Sequence, residues 1–109
     1  MFGNVPEIGV TEVPADGYLL DVRENDEWAA GHAPTAVHIP LGELNARAGE
    51  IPQDRKVYVV CRAGGRSAQA VAALNNAGWD TVNVGGGMQS WERSGLDMAA
   101  DSDAEPKVI

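Results

Sequence analysis

The segment that decides how this chain folds is Lys56-Val57-Tyr58-Val59-Val60-Cys61-Arg62-Ala63-Gly64-Gly65-Arg66-Ser67. It begins as an apolar, β-branched run typical of a buried strand, turns at Cys61, and leads into an alanine-rich helical pattern from Ser67 to Ala77. Two glycines allow the backbone to curl with its N–H groups inward, and the helix that follows adds the positive end of its dipole. The sequence therefore predicts a strand-to-helix turn that stabilises an anion at Cys61.

Positive charge is concentrated around this turn. The stretch from residue 55 to residue 79 contains Arg55, Lys56, Arg62 and Arg66 but no acidic residue, although the chain of 109 residues has a formal net charge of -8. Cationic neighbours favour the thiolate of a cysteine, and guanidinium groups suit an anion with carboxylate- or sulfonate-type oxygens. We therefore predict that Cys61 is a reactive thiol, although a lone cysteine is more often a small buried hydrophobe.

The composition indicates one acidic domain. Hydrophobic residues make up 44% and charged residues 22% of the chain, which is ordinary for a globular protein, and no apolar stretch approaches the ~20 residues of a membrane span. The acidic balance disfavours nucleic acid as a partner. The N-terminus lacks a secretory pattern, and a single cysteine, which cannot form an internal disulfide, suits a reducing compartment. We expect a cytoplasmic protein with no nucleic-acid or membrane partner, whose sulfur chemistry ends on an external thiol.

Short apolar runs alternate with helical patterns, which indicates βαβ units and an α/β fold with a mostly parallel sheet. The clearest strand patterns cover residues 18–22, 57–60 and 81–84, with weaker ones at 36–39 and 7–10. Helical patterns fit residues 24–30, 42–48, 67–77 and 88–94, and three of them are followed by a glycine expected to end the helix, at Gly31, Gly78 and Gly95. We predict a domain at residues 6–96 and a flexible acidic tail at residues 97–109.

Other polar residues are expected to support the structure. Asp21 and Arg23 lie at the C-terminal end of a predicted strand, the edge where α/β sheets place their sites, and we predict a buried ion pair that braces nearby loops. His32 and His38 have no partner pattern, so we expect satisfied loop or strand histidines. One cysteine and two scattered histidines do not form a metal-ligand pattern, and we predict no metal and no cofactor. The glycines at 85–87 lack the Lys-Ser/Thr of a phosphate loop and predict a tight turn.

Four ordered motifs make the chain similar to the rhodanese (sulfurtransferase) family, as a single-domain member. They are Leu20-Asp21-Val22-Arg23 with Glu27-Trp28 and Gly31-His32; Ala36-Val37-His38-Ile39-Pro40-Leu41; Val59 to Ser67; and Val84-Gly85-Gly86-Gly87 with Trp91 and Gly95. The resemblance implies a central parallel sheet with helices on both faces and a catalytic Cys61 that carries sulfur as a persulfide. It also implies a substrate-binding loop whose backbone N–H groups surround that sulfur, formed by Arg62, Ala63, Gly64, Gly65, Arg66 and Ser67. The implied activity moves a sulfane sulfur from a small anionic donor, such as thiosulfate, to cyanide, an external thiol or a protein acceptor.

Two other functions share part of this pattern. A phosphatase or arsenate reductase of the related fold uses a Cys-x5-Arg loop, but this chain has Ser67 where that arginine would stand, and Arg66 comes one position too early. A non-catalytic or carrier rhodanese-like module, for sulfur trafficking or partner binding, often lacks the cysteine that this chain keeps beside two arginines. We therefore predict a sulfurtransferase of the thiosulfate:cyanide type, with the carrier module as the alternative.

Overall fold

Five parallel strands form a single sheet in the computed structural model, which describes residues 5–109. The strands β1 to β5 are Glu7–Ile8, Tyr18–Asp21, Val37–His38, Val57–Val60 and Thr81–Val84. Their order across the sheet is β1-β5-β4-β2-β3, and all neighbours pair in parallel. The predicted α/β class is confirmed. Because β4 is the central strand, Cys61 follows it at the middle of the carboxyl edge, where α/β sheets bind their ligands.

Helices cover both faces of the sheet, as predicted. The helices α1 to α4 are Asn25–Ala30, Leu44–Arg47, Gly65–Asn76 and Gly87–Arg93, and short 3-10 turns occupy Val10–Glu12, Leu41–Glu43 and Ala48–Glu50. Side chains of α2 and α3 pack on one face of the sheet, against Leu20, Val57 and Val59. Met88 of α4 packs on the other face, against Leu19 and Val60. Successive strand residues point to opposite faces, so these short strands contribute to two cores.

Local hydrogen bonding changes two of the predicted elements. The edge strand predicted at residues 7–10 ends at Ile8, and a 3-10 turn follows because the Glu12 side chain accepts the Gly9 N–H at 2.8 Å. Helix α3 begins at Gly65, two positions before the predicted Ser67, because Gly64 takes the left-handed conformation with φ +114° and starts the helix. Such a φ favours glycine over any residue with a Cβ. The glycine pair therefore belongs to the start of α3 as well as to the turn.

Residues 97–109, called here the C-terminal segment, lie against the domain. Ala99 and His32 exchange backbone hydrogen bonds of 2.8 and 2.9 Å, and the Lys107 N–H donates to Ala30 at 3.0 Å. Met98 and Val108 pack on the core that contains Met88. Two apolar side chains among the acidic ones thus contact the domain, and the flexibility predicted for this segment stays a prediction.

Gly31 shows why the C-terminal segment can approach so closely. Its φ of 175° is extended backbone that any residue adopts, so the helix-ending role predicted for it does not explain the glycine. A Cβ at this position would overlap the Lys107 carbonyl oxygen and lie 2.7 Å from the Lys107 nitrogen. The glycine provides room for the backbone of the C-terminal segment. In the same part of the chain, residues 5–109, no helix is long and apolar enough to cross a membrane.

Candidate active site

The Cys61 side chain lies under the turn that joins β4 to α3. The residue is buried, with 1% of its surface exposed, and its Sγ accepts a hydrogen bond from the Gly64 N–H at 3.1 Å. The Ser67 hydroxyl, in the first turn of α3, lies 3.3 Å from the same sulfur. The left-handed Gly64 turns the backbone N–H back toward the thiol, so charge on the sulfur would meet a fixed donor rather than mobile water.

Helix α4 holds the other side of this turn. The N–H groups of Met88 and Gln89 donate to the carbonyl oxygens of Cys61 and Arg62, at 2.8 and 2.9 Å. Gly87 makes this approach possible, because its φ is +58° and a Cβ there would overlap the Cys61 carbonyl oxygen. The tight turn predicted at residues 85–87 thus places the first turn of α4 on the backbone of the cysteine loop. No sequence pattern identified this contact, since carbonyl acceptors are present at every residue.

Arg66 forms an ion pair with Glu27, a residue not predicted from the sequence to belong to the site. Its Nη1 and Nη2 atoms donate to the two carboxylate oxygens at 2.7 and 2.8 Å. Hydrogen bonding from Arg66 lowers the pKa of Glu27 from 4.5 to about 2, and the same bonds raise the pKa of Arg66. Glu27 belongs to one of the motifs behind the resemblance, but only the fold brings it to a residue 39 positions away. Part of the Arg66 guanidinium is therefore already occupied.

This ion pair predicts a specific acid dependence of stability. Because the folded pKa of Glu27 lies below its ordinary value of 4.5, the pair stabilises the fold above about pH 4.5, and this contribution is lost as the pH falls toward 2. Glu27→Gln should lower the free energy of unfolding by about 1–3 kcal/mol at pH 6, and the difference from wild type should shrink below pH 4.5. Denaturant titrations at several pH values measure it. Glu50→Gln, on the exposed pair with Arg47, is the control and should change stability less. A difference that does not vary with pH would contradict the assignment.

Arg62 is also engaged. Its Nε donates to the main-chain oxygen of Ile109 at 2.8 Å, and Gln89, with its carboxamide oriented to satisfy both groups, accepts from Nη1 at 2.9 Å. The C-terminal segment therefore contacts the residue next to Cys61. The sequence predicts that Arg62 and Arg66 bind an anionic substrate, and in the structure both guanidinium groups also have protein partners. Their role in binding a donor stays a prediction.

Asp21 and Arg23 form a buried ion pair beside the site. Both side chains are fully buried, and the Arg23 Nη2 donates to Asp21 at 2.8 Å and to the Gly31 carbonyl oxygen at 2.7 Å. The backbone N–H of Arg23 donates to Asp21 as well, at 3.0 Å. The pair thus connects the end of β2 to the end of α1, and none of these hydrogen bonds involves Cys61.

The two histidines stack on Trp28. The ring centroids of His32 and His38 lie 3.7 and 4.7 Å from that of Trp28, with interplanar angles of 3° and 5°. His32 Nδ1 donates to the Trp28 carbonyl oxygen and His38 Nε2 to that of Arg23, both at 2.7 Å. Each ring thus has a backbone partner, and the stack joins α1 to β3. Within residues 5–109, no group of His, Cys, Asp and Glu side chains could hold a metal ion.

The structure combines a parallel α/β sheet with a cysteine loop at the carboxyl end of the central strand. Comparison with known families identifies the class of protein that has this arrangement. A sequence model of the rhodanese-like domain matches residues 10–94. The chain belongs to the rhodanese-like family.

Known proteins give the same result. A sulfurtransferase of Allochromatium vinosum is 42% identical over 86 residues, which cover 78% of this chain and 80% of that protein. The crystal structure of SSP1007 from Staphylococcus saprophyticus superposes with a TM-score of 0.78 at 35% identity, covering 84% of this chain and 98% of that one. A thiosulfate sulfurtransferase structure from Pseudomonas aeruginosa reaches a TM-score of 0.79 at 26% identity, covering 96% of this chain but 22% of that one. This protein therefore has the fold of sulfurtransferases and sequence relatives that carry that name.

Proposed function

We propose that this protein is a sulfurtransferase that moves a sulfane sulfur from a small anionic donor to a thiol or cyanide through a persulfide on Cys61. The observation that carries the proposal is the cysteine at the end of the central strand, with its Sγ 3.1 Å from the Gly64 N–H. A thiolate in this position is a nucleophile that has a fixed hydrogen-bond donor. The sulfurtransferase relative supports the same reaction class.

The transfer takes two steps. The Cys61 thiolate attacks the outer sulfur of thiosulfate, a new S–S bond forms, and the original S–S bond breaks as sulfite leaves with the electron pair. Cyanide or an acceptor thiolate then attacks the terminal sulfur of the persulfide, and Cys61 leaves as a thiolate. Charge is conserved in each step, and no redox partner is needed. Thiosulfate is proposed as donor because it is anionic and small and because one structural neighbour is a thiosulfate sulfurtransferase.

The turn from Arg62 to Ser67 is proposed to bind the transferred sulfur. Within this turn the Gly64 N–H already donates to Cys61 Sγ, and N–H groups of α4 donate to the carbonyl oxygens of Cys61 and Arg62. The N–H groups of the turn therefore need little reorganisation when charge develops on the sulfur. Arg66 keeps guanidinium N–H groups that do not face Glu27, and these are the candidates for the departing sulfite. Ser67 stands where the arginine of a phosphatase loop would be, which leaves a turn suited to a single sulfur atom.

The experiment that tests this function is the intact mass of the purified protein after incubation with thiosulfate. We expect a gain of one sulfur atom, its loss on adding cyanide or a thiol, and no gain in Cys61→Ser. A cysteine desulfurase persulfide and a low-molecular-weight persulfide serve as further donors. If none of these donors added sulfur to the protein, the proposal would be overturned. A sulfur that neither cyanide nor a small thiol removes, but that passes to a protein acceptor, would instead indicate the carrier alternative.

A further inference from the structure

The Ser67 hydroxyl has three hydrogen-bond acceptors within reach. Its Oγ lies 2.5 Å from Asn83 Oδ1 and 3.3 Å from both Cys61 Sγ and the Gly64 carbonyl oxygen. The Gly64 oxygen already accepts from the Ala68 N–H at 3.1 Å and from the Asn83 Nδ2 at 3.3 Å, so Asn83 Oδ1 and Cys61 Sγ are the two acceptors that compete for the hydroxyl. Ser67, Asn83 and Cys61 are 0%, 1% and 1% exposed, so water does not compensate for a missing partner. A hydroxyl has one hydrogen to donate, and it can therefore serve only one of the two acceptors at a time.

The orientation of the Asn83 amide is determined by its other contacts. Its Nδ2 lies 2.8 Å from the Glu7 Oε1 and 3.3 Å from the Gly64 carbonyl oxygen. A carboxylate and a carbonyl can only accept, so the amide nitrogen faces them and the amide oxygen faces Ser67. Glu7 and Asn83 are register partners on β1 and β5. A Cβ on Gly85 would lie 2.8 Å from the Glu7 Cδ, so this glycine leaves room for the carboxylate.

The protonation state of Cys61 decides which acceptor the hydroxyl serves. With a neutral thiol, the short O–H bond to Asn83 Oδ1 forms, and the S–H can donate to the Ser67 Oγ. With a thiolate, the sulfur is the stronger acceptor because hydrogen bonds to an ionised group are the stronger kind. The hydroxyl then turns to Sγ, and Asn83 Oδ1 loses its donor.

We propose that Asn83 and Glu7 are positioning residues that set, through the Ser67 hydroxyl, how readily Cys61 carries negative charge. Asn83 competes for the hydroxyl and so limits its support of the thiolate, and Glu7 keeps the amide turned in the competing direction. This inference rests on the proposed function for its role in turnover. The Sγ is charged before it attacks the donor and again when the acceptor removes the sulfur, whereas in the persulfide the charge lies on the terminal sulfur.

The test measures the rate of Cys61 alkylation by iodoacetamide against pH, which reads the thiolate without any sulfur transfer. Asn83→Leu removes the competing acceptor, and the midpoint of the pH profile should fall by about half to one pH unit. Ser67→Ala removes the donor, and the midpoint should rise by a similar amount. In the Ser67→Ala background, Asn83→Leu should cause no further shift, because the two residues act as one unit. Thermal unfolding verifies that each variant is folded.

Glu7 provides a second pair of variants on an exposed edge strand, which keeps the test available if Asn83→Leu does not fold. Glu7→Gln removes the charge but keeps an acceptor for the Asn83 amide, whereas Glu7→Leu removes both. The other charged groups around Cys61 are Arg62, next to it in the chain, the Arg66–Glu27 pair and the buried Asp21–Arg23 pair, and all of them are unchanged in every variant. We expect a larger fall of the midpoint in Glu7→Leu than in Glu7→Gln, and the excess should vanish in the Ser67→Ala background.

Equal shifts for Asn83→Leu in the presence and absence of the Ser67 hydroxyl would overturn the inference, as would a midpoint that does not respond to either Ser67→Ala or Asn83→Leu. Intact mass after thiosulfate treatment is measured on the same samples. A protein that shows the expected alkylation shifts but gains no sulfur would contradict the proposed function and leave the inference about Asn83, Glu7 and the Ser67 hydroxyl in place. The two proposals can therefore fail separately.

Discussion

Arg23→Met should lower the free energy of unfolding by about 3–5 kcal/mol, because breaking a buried ion pair leaves its partner charged and unpaired. The Asp21 carboxylate is fully buried and accepts from Arg23 at 2.8 Å, and the Gly31 carbonyl oxygen would lose its donor as well. A loss of this size is a large part of the ~5–15 kcal/mol that stabilises a typical domain. Denaturant unfolding monitored by tryptophan fluorescence measures it.

Arg47→Met is the matched control for this prediction. Arg47 also pairs with carboxylates, Glu43 and Glu50, both at 2.9 Å, but these groups lie at the surface. Exposed ion pairs are screened by water and salt, so the control should change stability little. A double variant, Asp21→Leu with Arg23→Met, should recover part of the loss because it leaves no buried charge. Equal losses in the buried and the exposed variants would show that the buried pair does not stabilise the fold as argued.

Gly87→Ala should displace the cysteine loop and abolish most of the sulfur loading of Cys61. The added Cβ would overlap the Cys61 carbonyl oxygen and lie 2.6 Å from that of Arg62, and the φ of +58° is itself unfavourable for alanine. These carbonyls belong to rigid backbone that accepts N–H groups of α4, so neither side can yield without breaking hydrogen bonds. Intact mass after thiosulfate treatment and the rate of alkylation at pH 8 measure the effect.

Gly95→Ala separates the effect of an unfavourable backbone conformation from the effect of the contact with the cysteine loop. Gly95 has a similarly unfavourable φ of +72°, but no atom lies within 4 Å of the position its Cβ would take. This variant should lose about 1–2 kcal/mol of stability from the backbone conformation alone and keep its full sulfur loading. If Gly87→Ala loaded sulfur as well as Gly95→Ala does, the contact between α4 and the cysteine loop would not be needed for the site.

Local patterns predicted most of the fold. The β-branched run at 57–60, the glycines after Cys61 and the alanine-rich stretch after them are each sufficient to predict a strand, a turn and a helix, because side-chain periodicity and backbone freedom are local properties. Alternation of such units predicted the parallel sheet, which the structure confirms. The limits of the elements were less predictable. The start of α3 at Gly65 and the 3-10 turn at Val10–Glu12 depend on single hydrogen bonds and one left-handed glycine.

The partners of the polar groups were not predictable in this way. Arg62 and Arg66 could pair with any acceptor, and the fold selects Ile109 and Glu27. The docking of the C-terminal segment depends on the space at Gly31, which has no signature distinct from that of a helix stop.

By itself, the sequence determined that this protein has a parallel α/β fold and a cysteine at a strand-to-helix turn, because apolar periodicity and glycine conformations act over a few residues. Only the tertiary structure decided what surrounds that cysteine. Glu7 contacts Asn83, which lies 76 positions away in the chain, and the first turn of α4 donates to the backbone of the cysteine loop. The sequence around a hydrogen-bonding group does not indicate which residue will be its partner. Strand register and helix packing decide which of the possible partners it meets.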